Sequence, residues 1–156
     1  MRLAAACLAC ALSAGPLAAA TADGWSGSYR LEWVAGVSQP PARVVLAKAP
    51  DADPDRLVEK YQADLARWTI ADAGAPGETR LLRRFIGSEY TEWGWSGLHA
   101  SGDIECLDAS RLFVCRTTPG TTVRFGPDGP SQESLLARSG VFGIALHAGA
   151  FELNKE

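Results

Sequence analysis

The chain has 156 residues, with 15 basic against 18 acidic side chains and a net charge of −3. That length suits one ordinary domain. The densest basic cluster is Arg80, Arg83 and Arg84 between Glu78 and Glu89, so there is no concentrated basic face of the kind that nucleic-acid binding by counterion release needs.

The first residues follow the order of a secretory leader. Met1-Arg2 is a short positive start, Leu3 to Leu12 is an apolar run of Leu, Ala and Cys, and Gly15-Pro16 breaks any helix. Ala18-Ala19-Ala20 and Ala20-Thr21-Ala22 both offer the small residues a peptidase needs, so the expected cut falls after Ala20 or Ala22. The run is too short for a bilayer, which takes about 20 apolar residues. Cys7 and Cys10 lie inside it, whereas a lipid-anchoring cysteine would follow it. Twelve Arg against three Lys, with abundant Ala and Gly, suggests a GC-rich bacterial source. The expectation is a cleaved leader over 1–20, a single β-rich domain over 21–156, and a periplasmic or secreted protein without a membrane span.

Tyr29, Leu31 and Trp33 alternate with Ser28, Arg30 and Glu32, the period of a half-buried strand. Gly27-Ser28-Tyr29, which opens this strand, resembles the Gly-x-Trp start of calycin barrels such as lipocalins, with Tyr in place of Trp. The likeness covers three residues, too few to place the chain in that family. Ser38-Gln39-Pro40-Pro41 predicts a turn and Arg43 to Ala47 a second strand. Helix signals come next: Asp53 as N-cap, Pro54 at the first helical position, Asp55 and Glu59 near the positive end of the dipole. Leu57, Val58, Tyr61, Leu65 and Trp68 recur at helical spacing, which predicts one helix over about 54–68. A loop at Ala73 to Gly77 ends the unit, and strands are expected at Arg80 to Ile86 and Tyr90 to Leu98.

Gly24-Trp25-Ser26-Gly27 recurs as Gly94-Trp95-Ser96-Gly97. Shared turn chemistry or an old duplicated hairpin would each produce such an echo. The second copy lies in the most suggestive constellation of the chain: Glu89, Tyr90, Glu92, Trp93, Trp95, His99 and Asp103. Carboxylates beside aromatic rings can grip a sugar, or act as acid and base on a glycosidic bond. Read as a strand, Trp93, Trp95 and His99 share one face, with Glu92 and Tyr90 on the other. Tyr90, Glu92, Trp93, Trp95 and His99 are the candidate ligand-binding residues; the competing outcome is that the tryptophans line the core.

Cys106 and Cys115 remain once the leader is removed. An even pair in an oxidising compartment predicts a disulfide. Asp103 to Leu107 and Leu112 to Arg116 are strand-like around a turn at Asp108 to Arg111, and folding them as a hairpin sets Cys106 opposite Cys115. Strands are further expected at Thr121 to Phe125, Ser134 to Arg138 and Val141 to Leu153, the last with Phe142, Ile144 and Leu146 on one face; Gly126 to Pro130 reads as a turn. The fold class is thus mainly β (α+β): an antiparallel meander, curled or closed into a small barrel of about eight strands, with one helix packed on it.

The sequence carries no His-Glu-x-x-His pair, Cys-x-x-Cys or glycine-rich phosphate loop, and His99 with His147 lack a third metal ligand. No catalytic residue, metal or cofactor is assigned. The 13 aromatic residues and several Gly/Pro loops favour a non-enzymatic binding protein of the bacterial envelope, holding a small apolar or sugar-like ligand or inhibiting a partner protein, with acidic loop residues such as Asp128 set against a basic surface. The alternatives are a small periplasmic hydrolase using Glu89 or Glu92 with His99, and a structural subunit of an envelope assembly.

Overall fold

Ten strands and two short helices form in chain order in the computed structural model, which describes residues 23–36, 39–125 and 133–156. The expected leader and its cut, and the Gly126 to Pro130 turn with Asp128, lie outside the described residues. Eight strands close a barrel: β1 (Gly27–Gly36), β2 (Ala42–Ala49), β3 (Arg67–Asp72), β4 (Ala75–Arg84), β5 (Ile104–Asp108), β6 (Leu112–Thr117), β9 (Val141–Ala145) and β10 (Gly149–Lys155). Every neighbouring pair is antiparallel, and β10 returns to β1 with Leu31 opposite Leu153. Between β6 and β9 the chain leaves the barrel to make a separate hairpin, β7 (Thr121–Phe125) and β8 (Glu133–Ala137). The antiparallel meander of about eight strands expected from the alternating pattern is therefore present, and of the curled and closed forms it takes the closed one.

Alternation along each strand produces two cores. Inward side chains fill the barrel, among them Leu46, Leu82, Leu107, Val114, Phe151 and Leu153. An eight-stranded barrel is just wide enough for side chains to occupy its interior. Gly143 belongs to this packing: a Cβ there would stand 2.2 Å from the Phe151 ring, so the phenyl group takes the space a side chain would need. Outward side chains of β5, β6, β9 and β10 build a second core with what covers them, including Ile104, Phe113, Phe142 and Ala150. The cover consists of α1 (Gly87–Glu92), α2 (Ser96–Ala100) and the β7–β8 hairpin.

The disulfide joins Cys106 and Cys115 across directly opposed positions of β5 and β6, on the outer face of the wall. Both cysteines are fully buried beneath the cover. Tyr90 of α1 ties that cover to the wall, its hydroxyl accepting the backbone N–H of Cys106 at 2.9 Å.

One barrel end is plugged by the segment before β1. The Asp23 carboxylate accepts the N–H groups of Trp25 and Ser26, the Ser26 hydroxyl and the indole N–H of Trp68. Burial opposes its ionisation, but these four donors outweigh that and hold the carboxyl well below the usual carboxylate range. Trp25 and Trp68 are thereby fixed in the interior, and the Arg116 and Arg84 guanidinium groups lie over their rings at 4.7 Å. Glu105 holds both arginines from between them.

Three local expectations are corrected. Residues 54–68 are not one helix. Two 3₁₀ turns, Pro54–Arg56 and Glu59–Tyr61, are separated by extended backbone at Leu57 and Val58, and β3 begins at Arg67. Asp53 does cap Asp55 N–H and Pro54 does open the first turn, but the apolar stripe is not buried as one face: Trp68 enters the barrel from β3, Leu57, Tyr61 and Leu65 are half-buried, and Val58 stays 61% exposed. Residues 90–98 are not a strand: they belong to α1, a turn at Gly94 with φ +74°, and α2. Residues 141–153 are not one strand either, since a turn at 146–148 divides β9 from β10 and removes Leu146 from the face of Phe142 and Ile144.

The two Gly-Trp-Ser-Gly copies share turn chemistry and then diverge. In each a left-handed glycine, Gly24 at φ +78° or Gly94 at φ +74°, delivers a tryptophan that is 1% exposed. Trp25 enters the barrel core and leads into β1, whereas Trp95 enters the outer core and leads into α2. After the first copy the chain runs directly into the β1–β2 hairpin, whereas after the second α2 intervenes before the β5–β6 hairpin.

Candidate functional site: a groove on the outer wall

The residues singled out from the sequence are brought together on α1 and α2, but mostly as packing. Tyr90 and Trp95 are buried in the outer core. The Trp95 indole donates to the Arg124 carbonyl of β7 at 2.6 Å, which fastens the hairpin to the helices. Trp93 is half-buried, stacking on Trp95 with centroids 5.5 Å apart and meeting Phe113 edge-on. His99 lies flat on Tyr90, with 3.8 Å between ring centroids, and is exposed on its other side, as is Glu92. The sequence-derived set thus presents Glu92, His99 and part of Trp93 to solvent.

Glu89 is engaged elsewhere. Its oxygens take two bonds from Arg83, at 2.6 and 2.8 Å, and one from the Ile86 N–H. Burial works against its charge, yet Arg83 and the N–H together hold the carboxyl below its ordinary value. Asp108 shares Arg83 at 2.9 Å, but burial pushes its carboxyl upward. This arrangement ties β4, β5 and α1 together. His147 lies apart from His99, in the β9–β10 turn with φ +67°. Among the described residues no group of three or more His, Cys, Asp or Glu is placed to hold a metal ion, and no helix is long and apolar enough to cross a membrane.

Two concavities remain. The smaller, about 420 Å³, lies at the barrel end opposite the plug. It lies where β4 pairs with β5 only through Arg83 and Arg84, with the buried Leu31, Ile70 and Phe151 at its base and Asp72, Glu78 and Arg80 at its rim.

The larger is a groove of about 1080 Å³ between the β7–β8 hairpin and the outer wall. The outer cover does not extend around the barrel. Beyond β8, outward residues of β9 and β10, with the last residues of β1, make the floor of the groove, where Ile144 and Ala150 are already largely buried and Leu146 is exposed. Ile144 and Ala150 form the middle of that floor. Val34, Leu136 and Leu146 line the sides. These are three of the six large apolar side chains exposed on the described surface, so half of that exposed apolar population converges on one groove. Such convergence differs from the single scattered apolar side chains of an ordinary surface. Glu152 lies at the base, buried, accepting the N–H groups of Arg138 and Ser139 and so fixing the chain where it leaves β8. Phe125 and the smaller His147 imidazole are the aromatic rings on the described lining, which leaves little surface on which a sugar could stack.

Val34 and Leu136 do not stand out in the sequence, and Leu146 does so only as sharing a strand face with Phe142 and Ile144. The adjacent pair Leu135-Leu136 was the available signal, because neighbours in a strand face opposite sides and one leucine had to point away from the core.

Comparisons with known protein families, curated proteins and solved structures find no match for this chain.

Proposed function

We propose that the chain is an exported binding protein that holds an apolar ligand in the groove between the β7–β8 hairpin and the barrel wall. The observation that carries this reading is the gathering of Val34, Leu136 and Leu146 around a floor of Ile144 and Ala150. Burying exposed apolar area returns about 25 cal/mol per Å², and here that area is concentrated where a ligand can cover it at once. The barrel interior is a poorer host, because large side chains occupy it and only its mouth is open. Of the two ligand chemistries expected from the sequence, the near absence of aromatic lining favours the apolar one over the sugar.

Export draws support from the leader-like order of Met1 to Ala22 and from the Cys106–Cys115 disulfide, which persists in an oxidising compartment. Expression of the full chain in a bacterium, followed by mass analysis of the periplasmic fraction, tests it: the predicted product begins after Ala20 or Ala22, and an uncleaved cytoplasmic product contradicts export.

Binding is tested with a neutral solvatochromic naphthalene probe. Its emission should shift to the blue on wild-type protein and lose at least tenfold in affinity on Leu136→Glu, which sets a charge on the groove wall. No blue shift with wild-type protein contradicts the reading.

A further inference from the structure

We infer that the occupant of the groove is an extended peptide segment that adds as a third strand along the free edge of β8. The inference rests on the groove being a binding site and goes further by naming the chemistry of what enters it.

The hairpin lies on the wall with one face down: Leu135 and Ala137 are buried against it, while Ser134 and Leu136 point outward. On one side β8 pairs with β7, from Thr121 opposite Ala137 to Phe125 opposite Glu133. No strand pairs with its other side among the described residues. The Ala137 carbonyl accepts from the Gly120 N–H and so points toward β7. Backbone groups alternate in direction along a strand, so Leu135 also points toward β7, while the N–H and C=O of Ser134 and the N–H of Leu136 point into the groove. The Leu136 carbonyl, on the same side, is taken by the Arg138 N–H.

Strand donors and an acceptor with no partner among the described residues, beside an apolar floor, are what β-strand addition requires: main-chain bonds supply affinity, and pockets for alternate side chains supply selectivity. A strand placed beside β8 would lie flat on the wall. Its inward side chains would cover Ile144, Ala150 and Leu146, completing the layer that α1, α2 and the hairpin begin. Its outward side chains would flank Leu136. An apolar small molecule would cover the floor and leave the Ser134 groups unused. The partner segment is therefore about five residues long, to match β8, with apolar side chains at alternate positions and no proline at those whose N–H meets β8.

The test is selection from a displayed library of random twelve-residue peptides against the full chain, followed by titration of a selected peptide. Apolar residues at alternate positions are expected in the selected sequences. Ser134→Pro removes an N–H that faces the groove, not β7, and should weaken the peptide at least tenfold, whereas Ser134→Ala should not. Amide exchange at Ser134 and Leu136 should slow when the peptide is bound. If Ser134→Pro does not fold, N-methylation of the peptide's alternate amides gives the same reading, and tenfold weakening in one methylation phase only is expected. The inference is overturned if the library yields no binder, if Ser134→Pro binds as well as wild type, or if both methylation phases bind equally. In those cases a naphthalene probe that still binds leaves the groove reading standing, and one that does not removes both.

Discussion

The barrel wall has two surfaces, and they end in different states. The inner surface is sealed: Asp23, Trp25 and Trp68 plug one end, Phe151 fills even the space opposite Gly143, and only a shallow mouth stays open. The outer surface is covered by helices and a hairpin over β5, β6 and Phe142 of β9, and opens into a groove toward the β9–β10 turn. Closing a barrel removes its edges and encloses its interior. It imposes nothing on the outside, where the short β7–β8 excursion decides how far the second layer reaches. The difference teaches that closing the barrel fixes the inside of the strands and leaves the outside free to carry the binding we propose.

That division can be strained by substitution, beginning inside. Phe151→Ala empties the middle of the barrel core and should cost about 4 kcal/mol in urea-unfolding experiments. A loss below about 1 kcal/mol would mean that the interior is not tightly packed. Gly143→Ala attacks the same contact from the opposite strand, by overpacking, and should cost about 1–3 kcal/mol. On the covered part of the outer surface, replacing Cys106 and Cys115 together by Ala opens a short loop and should cost roughly 2–3 kcal/mol.

At the plug, Asp23→Ala should cost about 2 kcal/mol at neutral pH, since several donors lose an ionised acceptor. The sign of its pH dependence follows from a carboxyl held below its ordinary value. The stabilisation is full above the unfolded-state value of about 3.9 and is lost as pH falls through that value toward the folded one. Glu89 and Glu105 act in the same direction, while Asp108, pushed upward by burial, opposes them. Stability of wild-type protein should therefore fall on acidification below about pH 4, and Asp23→Ala should make that fall shallower; an unchanged slope would remove Asp23 from the account. The smallest expected effect is in the groove, where Leu136→Ser should change stability by no more than about 0.5 kcal/mol while weakening the naphthalene probe.

The barrel was legible in the sequence because alternation survives folding. Tyr29 and Leu31 face inward as their spacing demands, and Cys106 meets Cys115 as their hairpin demands. What misled was local pattern detached from any wall. Leu57, Val58 and Tyr61 carry helical spacing behind a sound N-cap, yet β3 had to start by Arg67 to reach β2 and β4. Tyr90, Trp93 and Trp95 alternate approximately like a strand, yet Gly94 turns the chain between them and the Glu89 side chain caps the Ile86 N–H, a helix-start signal that was open to reading. The groove was least legible, since it forms where a layer stops, and the end of a layer is a tertiary fact with no period of its own. The candidate site residues share the outer wall with it, but the sequence drew notice to the aromatic half, which is covered, and passed over the aliphatic half, which is open.

The central claim is that ligands bind the groove on the outer wall and not the barrel mouth. Titration of the naphthalene probe against two variants decides it: Leu136→Glu on the groove wall and Thr79→Trp on the rim of the mouth. The account predicts at least tenfold weaker binding to Leu136→Glu and wild-type affinity for Thr79→Trp. Wild-type affinity for Leu136→Glu with loss on Thr79→Trp would contradict it and move the site to the mouth.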